Sequence, residues 1–289
     1  MATKSKYKDL SYRDFLIPKK NGKPRRISAP SKELLQYQHN LMKGLYSYHA
    51  KQESILNCEN IQHGFIPNRN CVTAATQHIG YKHTIIMDLS NFFDSVNTSF
   101  FPKTITRYSH LFHKEGHCAQ GFASSPILSA IASLPMIKDI KQSLNELHKA
   151  FIISQDNLEP EDDYKSFAFT VYADDIQIST NCRPLIKHII NSVTHIAESH
   201  KFSINRNKTR VRNTINGYRR ILGINVGSDH IRATRKTMRK IRAADHQGNF
   251  HSKAGLTTWS HNLLPKVLRA RSISQSKVNL LLWHNSNIV

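Results

Sequence analysis

The chain has few cysteines, few acidic residues and no long apolar run, and each shortage argues against a class of protein. Its 289 residues include four cysteines without C-x-x-C spacing, so neither a zinc ribbon nor a disulfide framework is predicted. No apolar stretch approaches the roughly 18 residues of a membrane-spanning helix, and the first residues are polar rather than signal-like. We therefore expect a soluble, cytoplasmic protein without a membrane partner.

Positive charge is what the chain has in excess. Lys and Arg number 41 against 20 Asp and Glu, which gives a formal charge of +21. Hydrophobic residues make up 39% of the chain, which is enough to bury a core and argues against disorder. A merely basic surface is the ordinary alternative, but an excess of this size is typical of proteins that bind nucleic acid.

Two adjacent carboxylates lie in the Tyr-Ala-Asp-Asp sequence at 172–175, between apolar runs that both indicate strands. Neighbouring side chains on one straight strand point to opposite faces, so Asp174 and Asp175 can share a ligand only at a tight turn. Carboxylates about 4 Å apart repel by about 4 kcal/mol at an effective dielectric of 20. The pattern therefore predicts a divalent cation and metal-dependent phosphoryl chemistry.

A third carboxylate, Asp88, ends the apolar run at 84–87, which is predicted to be a buried strand. Alone, such an aspartate is usually a cap or turn residue. Together with the Asp-Asp pair it could hold two Mg²⁺ ions about 3.5–4 Å apart. Mn²⁺ is a possible substitute, because ligands that are all oxygen suit these ions better than zinc.

Turn and capping signals divide the chain into strands and helices. A basic hairpin is predicted over 17–30, with an Asn-Gly turn at 21–22. A long helix should begin at the Ser-Pro pair at 125–126, and Pro135 should kink or break it. Further helices are predicted to begin after Ser31, at Cys71 and at Pro184.

The last part of the chain differs in composition. From residue 229 onward there are eleven Lys and Arg against two Asp. Several of these cations recur at three- and four-residue spacing, which would place them on one helix face: Arg232, Arg235, Lys236, Arg239 and Arg242. A solvated face is the ordinary alternative; we interpret the helix as one that follows a phosphate backbone.

The order of these motifs resembles that of reverse transcriptases. Asp88 with Phe92-Phe93, the sequence Gln-Gly-Phe-Ala-Ser-Ser-Pro at 120–126 and Tyr-Ala-Asp-Asp at 172–175 resemble the palm motifs. His-Gly-Phe-Ile-Pro-Asn-Arg at 63–69 resembles the fingers motif of bacterial members, and Asn-Arg-Asn-Lys-Thr at 205–209 resembles the lysine-bearing motif.

The resemblance implies an α+β, right-hand polymerase fold. Fingers and palm would interleave over residues 1–228, the palm being an antiparallel sheet plus helices. A small basic helical thumb that binds RNA would occupy residues 229–289.

The resemblance also implies a role for each matched residue. The catalytic metals would be bound by Asp88, Asp174, Asp175 and the backbone carbonyl of Leu89. The incoming nucleotide would be held by Lys20 (or Lys19), Arg25, Phe93, Gln120, Gly121 and Lys208. Within this set, Phe93 would exclude a ribose 2′-hydroxyl and Lys208 would protonate pyrophosphate. Nucleic acid would be contacted by Arg69, His78, Arg232, Arg235, Lys236 and Arg239.

Compact size favours the retron-type enzymes among bacterial reverse transcriptases. This implies dNTP substrates, a cognate structured noncoding RNA as template and primer, a branched RNA–DNA product (msDNA) and a separate effector protein in antiviral defence. Two positions depart from the retron pattern: Ala74, where an asparagine is expected, and Leu222, where V-T-G has threonine.

The sequence is also compatible with other functions. The chain could be a group II intron-like, diversity-generating or abortive-infection reverse transcriptase, or a non-catalytic RNA-binding scaffold. A possible zinc cluster also stands in the sequence, at His110, His113, His117 and Cys118. Since the chain has 17 histidines, chance proximity is the better explanation, and we interpret this segment as a polar palm loop.

Overall fold

The computed structural model describes residues 10–18, 22, 24–153, 167–215 and 217–257. Its strands are β1 (Tyr12–Pro18), β2 (Pro24–Pro30), β3 (His83–Asp88), β4 (Ala168–Tyr172), β5 (Asp175–Thr180), β6 (Arg210–Asn213), β7 (Arg219–Ile221), β8 (Ile224–Val226) and β9 (Ile231–Ala233). Its α-helices are α1 (Lys32–Ile55), α2 (Cys71–Thr76), α3 (Phe92–Ser95), α4 (Lys103–Thr106), α5 (Ser125–Ile153), α6 (Leu185–Ser199), α7 (Arg235–His246) and α8 (Phe250–Thr257). Single 3₁₀ turns occupy Thr98–Phe100, Ser109–Leu111 and Arg206–Lys208.

A four-stranded antiparallel sheet in the order β4-β5-β3-β6 forms the centre of the molecule. Alternate residues of its two middle strands, Ile85, Met87, Ile176 and Ile178, have no exposed surface. They belong to one hydrophobic core that also includes residues of α5 and α6. Burying an aliphatic side chain of this size stabilises the fold by about 1.5–3 kcal/mol. The predicted buried strand that ends at Asp88 is therefore confirmed.

Helix α5 runs through Pro135 without ending. The expected break is thus wrong, although a proline inside a helix removes one hydrogen bond and costs about 3 kcal/mol. The helix is fixed by its surroundings instead, since Ile127, Leu128, Met136 and Ile137, which flank the proline on both sides, are all fully buried.

The predicted basic hairpin forms, but its first strand begins at Tyr12 rather than at residue 17. Strands β1 and β2 pair antiparallel from Tyr12–Pro30 to Pro18–Pro24. Ser31 then caps α1, because its hydroxyl accepts a hydrogen bond from the Leu34 N–H at 3.1 Å. The predicted turn at 21–22 and the two lysines before it, Lys19 and Lys20, lie outside the described residues, apart from Gly22.

A second, three-stranded sheet in the order β7-β8-β9 packs against α2. Leu222 and Gly223 form the turn between β7 and β8, both with positive φ (48° and 81°). Strand β9 pairs with β8 across residue 228, so the expected boundary at 228 falls inside one hydrogen-bonded sheet. Helix α7 follows this sheet and is capped by Thr234, and the division of the chain at 228 stays a prediction.

Helix α7 carries the predicted cations, but it begins at Arg235. Arg232 lies on β9 instead, which corrects its assignment to the helix. Within the described residues, no helix is both long enough and apolar enough to cross a membrane.

Candidate active site

Three carboxylates meet at one end of the central sheet. Tyr172 pairs with Asp175, so Ala173 and Asp174 form a two-residue turn between β4 and β5. On the neighbouring strand, Asp88 lies directly opposite Asp175. The tight turn inferred from the adjacent aspartates is therefore present, and it brings Asp174 towards the ends of the other two strands.

Backbone contacts fix the tip of this hairpin. The Leu89 N–H donates to the Asp174 carbonyl at 2.8 Å, and the Asn205 N–H donates to the Asp88 carbonyl at 2.8 Å. Ala173 has a positive φ of 56°. Gly64 lies so close to this turn that a Cβ atom there would stand 2.3 Å from the Ala173 nitrogen. The fingers motif thus supports the turn through its backbone.

The carboxylates repel one another in a partly buried setting. Burial, followed by the nearby charges of Asp174 and Asp88, raises the pKa of Asp175 to about 6. Burial also raises the pKa of Asp174. Lys208 compensates in part, because its Nζ donates to both oxygens of Asp88 at 2.8 and 3.0 Å. That hydrogen bond raises the pKa of Lys208.

This donor set fits a hard divalent cation. All three side chains offer oxygen, which is the ligand that Mg²⁺ and Mn²⁺ prefer. Burial and then mutual repulsion raise the pKa of Asp175, and one lysine faces the three carboxylates, so additional positive charge would relieve that repulsion. Leu89, the fourth predicted ligand, follows Asp88 directly and is held by the hydrogen bond to the turn.

The two adjacent phenylalanines differ in environment. Phe92 is 5% exposed, and its ring lies 5.8 Å from that of Phe202 in the core. Phe93 is only partly buried, and its ring lies 6.0 Å from Phe65 of the fingers motif. Phe92 is thus a core aromatic, and the role of Phe93 beside the nucleotide sugar stays a prediction.

The Gln-Gly motif touches the hairpin that carries Arg25. The Ser28 N–H donates to the Gln120 carbonyl at 2.8 Å. Gly121 has a φ of 115°, and a Cβ there would stand 2.5 Å from the Ser28 carbonyl oxygen, so only glycine allows this approach. Arg25 is exposed, and its charge opposes the rise in the pKa of Asp174 that burial causes.

The guanidinium of Arg69, which was expected to contact nucleic acid, contacts residues of the fold. Its guanidinium donates from Nη2 to Oε2 of Glu53 at 2.9 Å and from Nη1 to the Gln62 carbonyl at 2.8 Å. Glu53 is nearly buried. This pair ties Arg69 to the fold, while 20% of its side-chain surface stays exposed, so its contact with nucleic acid stays a prediction.

His78 has no exposed surface. Its Nδ1 lies 2.7 Å from the Ser179 hydroxyl and its Nε2 lies 2.8 Å from the Thr170 hydroxyl. Burial lowers its pKa to about 3, so the ring stays neutral. A ring enclosed in this way cannot reach a bound strand, and the predicted nucleic-acid contact is replaced by a role in holding β4 and β5.

The basic residues assigned to nucleic acid near the end of the described chain are exposed: Arg232, Arg235, Lys236 and Arg239. The Arg232 guanidinium stacks 3.8 Å above the ring of Tyr218. The sheet end thus gathers the three aspartates and Lys208, while these cations belong to the surface of β9 and α7.

Two contributors were not identified from the sequence. Gly64 and Asn205 lie in motifs that were recognised, yet their own contacts with the turn and with Asp88 were not foreseen. Glycine within a polar motif does signal a close backbone approach. Nothing in the sequence indicates which backbone it approaches.

Comparisons with known proteins agree with this geometry. Residues 17–238 match the family described as reverse transcriptase (RNA-dependent DNA polymerase). The retron Mx65 reverse transcriptase of Myxococcus xanthus is 24% identical over 264 residues, covering 82% of this chain and 56% of that protein. The retron Ec73 reverse transcriptase of Escherichia coli is 25% identical over 250 residues, covering 78% and 72%. The chain thus spans little more than half the length of the Mx65 enzyme.

Solved structures show the fold. A telomerase from Candida albicans, in complex with a TWJ fragment of telomeric RNA, superposes with a TM-score of 0.52 at 12% identity, covering 96% of this chain and 58% of that one. A foamy viral protease–reverse transcriptase in complex with double-stranded DNA gives a TM-score of 0.50 at 18% identity, covering 96% and 40%. The expected α+β polymerase fold is confirmed, as is the resemblance drawn from the motifs.

Proposed function

Because the chain belongs to the reverse transcriptase (RNA-dependent DNA polymerase) family, we propose that it extends a nucleic-acid end with dNTPs on an RNA template and releases pyrophosphate. One observation carries this proposal. Asp88 lies opposite Asp175, and the turn at Asp174 adjoins both. A polymerase that transfers nucleotides needs such a carboxylate cluster, whereas an RNA-binding scaffold does not.

In this proposal, Asp88, Asp174 and Asp175, with the Leu89 carbonyl, hold two Mg²⁺ ions, or Mn²⁺ in their place. Such ions lower the pKa of an attacking hydroxyl and neutralise charge on phosphate oxygens. Backbone hydrogen bonds fix the strands that carry these carboxylates, so the positions of the carboxylates are fixed as well. The hairpin of β1 and β2 carries Arg25, which binds the triphosphate through its forked guanidinium, and Lys20 assists.

The remaining residues select the nucleotide and release the product. Phe93 packs against the sugar, and Gln120 and Gly121 shape the pocket beside it. Lys208 is 60% exposed while its partner Asp88 is 13% exposed, so the ammonium group lies at the open side of the cluster. There it can donate a proton to departing pyrophosphate.

We further infer a retron-type role in the bacterial cytoplasm. The chain would copy a cognate structured noncoding RNA, primed from an RNA 2′-hydroxyl, into branched RNA–DNA (msDNA), and would act with a separate effector protein in antiviral defence. Two curated relatives named as retron reverse transcriptases support this reading. Residues 229–289 would serve as the thumb, in which the exposed cations of α7 contact RNA.

The substitution Asp174→Asn tests the chemistry. It removes a charge without changing shape, so we expect DNA synthesis to fall at least about 100-fold, since loss of several kcal/mol of metal-borne stabilisation has that effect. RNA affinity should stay unchanged. Asp139→Asn is the matched control, because Asp139 pairs with His200 on the far helices. Equal synthesis by both variants would contradict the assignment.

The nature of the template needs a separate experiment. Protein purified from cells that carry its native locus should hold a discrete nucleic acid that is shortened by RNase and by DNase alike. The DNA part should disappear with Asp175→Asn. Recovery of heterogeneous RNA alone would refute the retron reading and would leave polymerase activity to be judged by the synthesis assay.

A further inference from the structure

A second cluster of metal-ligating side chains lies away from the aspartates. It is in the loop between the 3₁₀ turn Ser109–Leu111 and α5, where the side chains of His113, Glu115 and His117 place one ligand atom each within 4.8 Å of one another. The four residues suspected from the sequence do not assemble. His110 packs edge-on against Tyr37, and Cys118 is fully buried, which raises its pKa.

The spacing of the ligand atoms suits a tetrahedral ion. Oε2 of Glu115 lies 3.7 Å from Nδ1 of His113 and 3.8 Å from Nδ1 of His117. Around Zn²⁺, bonds of about 2.0–2.1 Å place neighbouring ligands roughly 3.4 Å apart. The rings of His113 and His117 stack with centroids 4.5 Å apart and an interplanar angle of 28°, so one imidazole has to turn before both nitrogens face a single ion. Two imidazoles and a carboxylate are a common zinc set that leaves a fourth position for water.

The loop backbone holds these residues in place by itself. The His113 N–H donates to the His117 carbonyl and the Gly116 N–H donates to the His113 carbonyl, both at 2.8 Å. Gly116 makes the turn with a φ of 81°. Because this turn is closed by its own hydrogen bonds, the backbone that carries the ligands is fixed before an ion binds.

Asp14 orients the first histidine from behind. Its Oδ2 lies 3.2 Å from Nε2 of His113, which leaves Nδ1 to face Glu115. A carboxylate on the far nitrogen of a histidine is the usual second partner of a metal-bound imidazole. Two contacts compete with an ion: the Glu115 N–H donates to Nδ1 of His113 at 3.2 Å, and Arg26 pairs with Glu115 at 3.3 Å. An ion has to displace both contacts, and the second is an exposed pair that contributes little.

We propose that His113, Glu115 and His117 bind one Zn²⁺ ion, or a cation of similar preference, and that this ion fixes the His113 ring against Asp14 of the fingers hairpin. Asp14 of β1 accepts a hydrogen bond from the Ser28 hydroxyl at 2.6 Å as well as contacting His113. The Ser28 N–H in turn holds the Gln120 carbonyl. An ion on His113 would thus stiffen the joint between β1–β2 and the Gln-Gly motif.

Zinc binding to the full chain tests the proposal directly. Metal-stripped protein would be titrated with Zn²⁺ against a chromophoric chelator, and Co²⁺ would serve as a probe whose visible absorption reports nitrogen ligation. We expect one equivalent to bind, and we expect Glu115→Gln and His117→Gln each to weaken binding at least about tenfold. Asp14→Asn should weaken it by about 10–100-fold, as a positioning residue.

Two matched variants complete the test. His110→Gln changes a histidine of the same loop that contributes no ligand, and Asp175→Asn changes the catalytic carboxylates; both should bind zinc as the parent chain does. The proposal is overturned if no equivalent binds at micromolar zinc. It is also overturned if His110→Gln and His117→Gln bind alike, or if only Asp175→Asn loses the ion. Because binding is the readout, a failure here leaves the proposed polymerase reaction untouched.

Discussion

Gly64 is a residue at which one added methyl group should disturb the catalytic turn. A Cβ there would lie 2.3 Å from the Ala173 nitrogen and 3.2 Å from its Cα. Both of these atoms belong to the backbone, so the hairpin of β4 and β5 must shift to make room for the methyl group. We expect Gly64→Ala to lower the rate of DNA synthesis about 100-fold, since a displacement of about 1 Å of reacting groups has that effect. Single-turnover synthesis at saturating dNTP measures it.

Gly44→Ala is the control for this change. Gly44 lies inside α1, where a Cβ would meet nothing within 4 Å. Alanine there should raise the free energy of unfolding by about 0.5–1 kcal/mol, because glycine weakens helices, and it should leave synthesis unchanged. If Gly64→Ala behaved in the same way, the fingers motif would not support the turn.

Phe93 is the residue expected to test the sugar. Its partly buried ring rests 6.0 Å from Phe65, and alanine would open space where a 2′-hydroxyl could fit. We expect Phe93→Ala to reduce the preference for dNTPs over rNTPs by about 10–200-fold, the range that steric pockets provide. The ratio of kcat/KM for dGTP and GTP measures this change.

Phe92→Leu separates selectivity from packing. Phe92 is 5% exposed and packs on Phe202, so this variant should lose about 1–3 kcal/mol of stability and keep the parent's dNTP preference. A selectivity change in the Phe92 variant, with none in the Phe93 variant, would reverse the two assignments.

At the scale of elements, a buried arginine joins the two sheets. Arg219 of β7 has no exposed surface, and its four hydrogen bonds go to neutral oxygens: Thr84 Oγ1 (2.8 Å), Ser179 Oγ (3.3 Å), the His78 carbonyl (2.6 Å) and the Gly227 carbonyl (3.4 Å). Burial lowers its pKa to about 10, so it remains charged at neutral pH.

Removing the Arg219 side chain should weaken the packing of the two sheets against each other. We expect Arg219→Ala to lower the free energy of unfolding by about 2–4 kcal/mol, because a cavity opens and buried carbonyls lose their donor. Its neighbour Arg220 is exposed, so Arg220→Ala should change stability by less than about 0.5 kcal/mol. Urea unfolding followed by circular dichroism compares the two. Equal urea midpoints for the two variants would mean that Arg219 contributes no more to stability than an exposed arginine does.

Local signals predicted the elements better than they predicted partners. The cap at Ser31, the strand end at Asp88 and the turn at 174 are encoded within a few residues, so pattern and turn chemistry identify them. His78 bonds to Ser179, which is 101 positions away, and no local pattern specifies that pairing. For the same reason, His78 was expected at the nucleic acid and is found inside the fold.

At the scale of the whole molecule, the +21 charge does not distinguish a specific contact surface from general attraction. The structure narrows the choice. Helix α7 buries Ile241 and Ala244, which leaves Arg235, Lys236 and Arg239 on its exposed face. Cations on a helix that is anchored from behind are well placed to meet phosphates at fixed spacing.

Salt dependence tests whether α7 contacts RNA. Neutralising Arg235 and Arg239 to Gln should flatten the slope of log affinity against log salt by about 0.7–0.9 for each phosphate contact that is lost. The control is a double change of Lys43 and Lys51 to Gln. These are two exposed cations on α1, and replacing them removes the same net charge. If direct contact matters, only the α7 variant changes the slope. A similar change in both variants would mean that the net charge attracts RNA without a contact by this helix, and an unchanged slope in both would remove α7 from the interface.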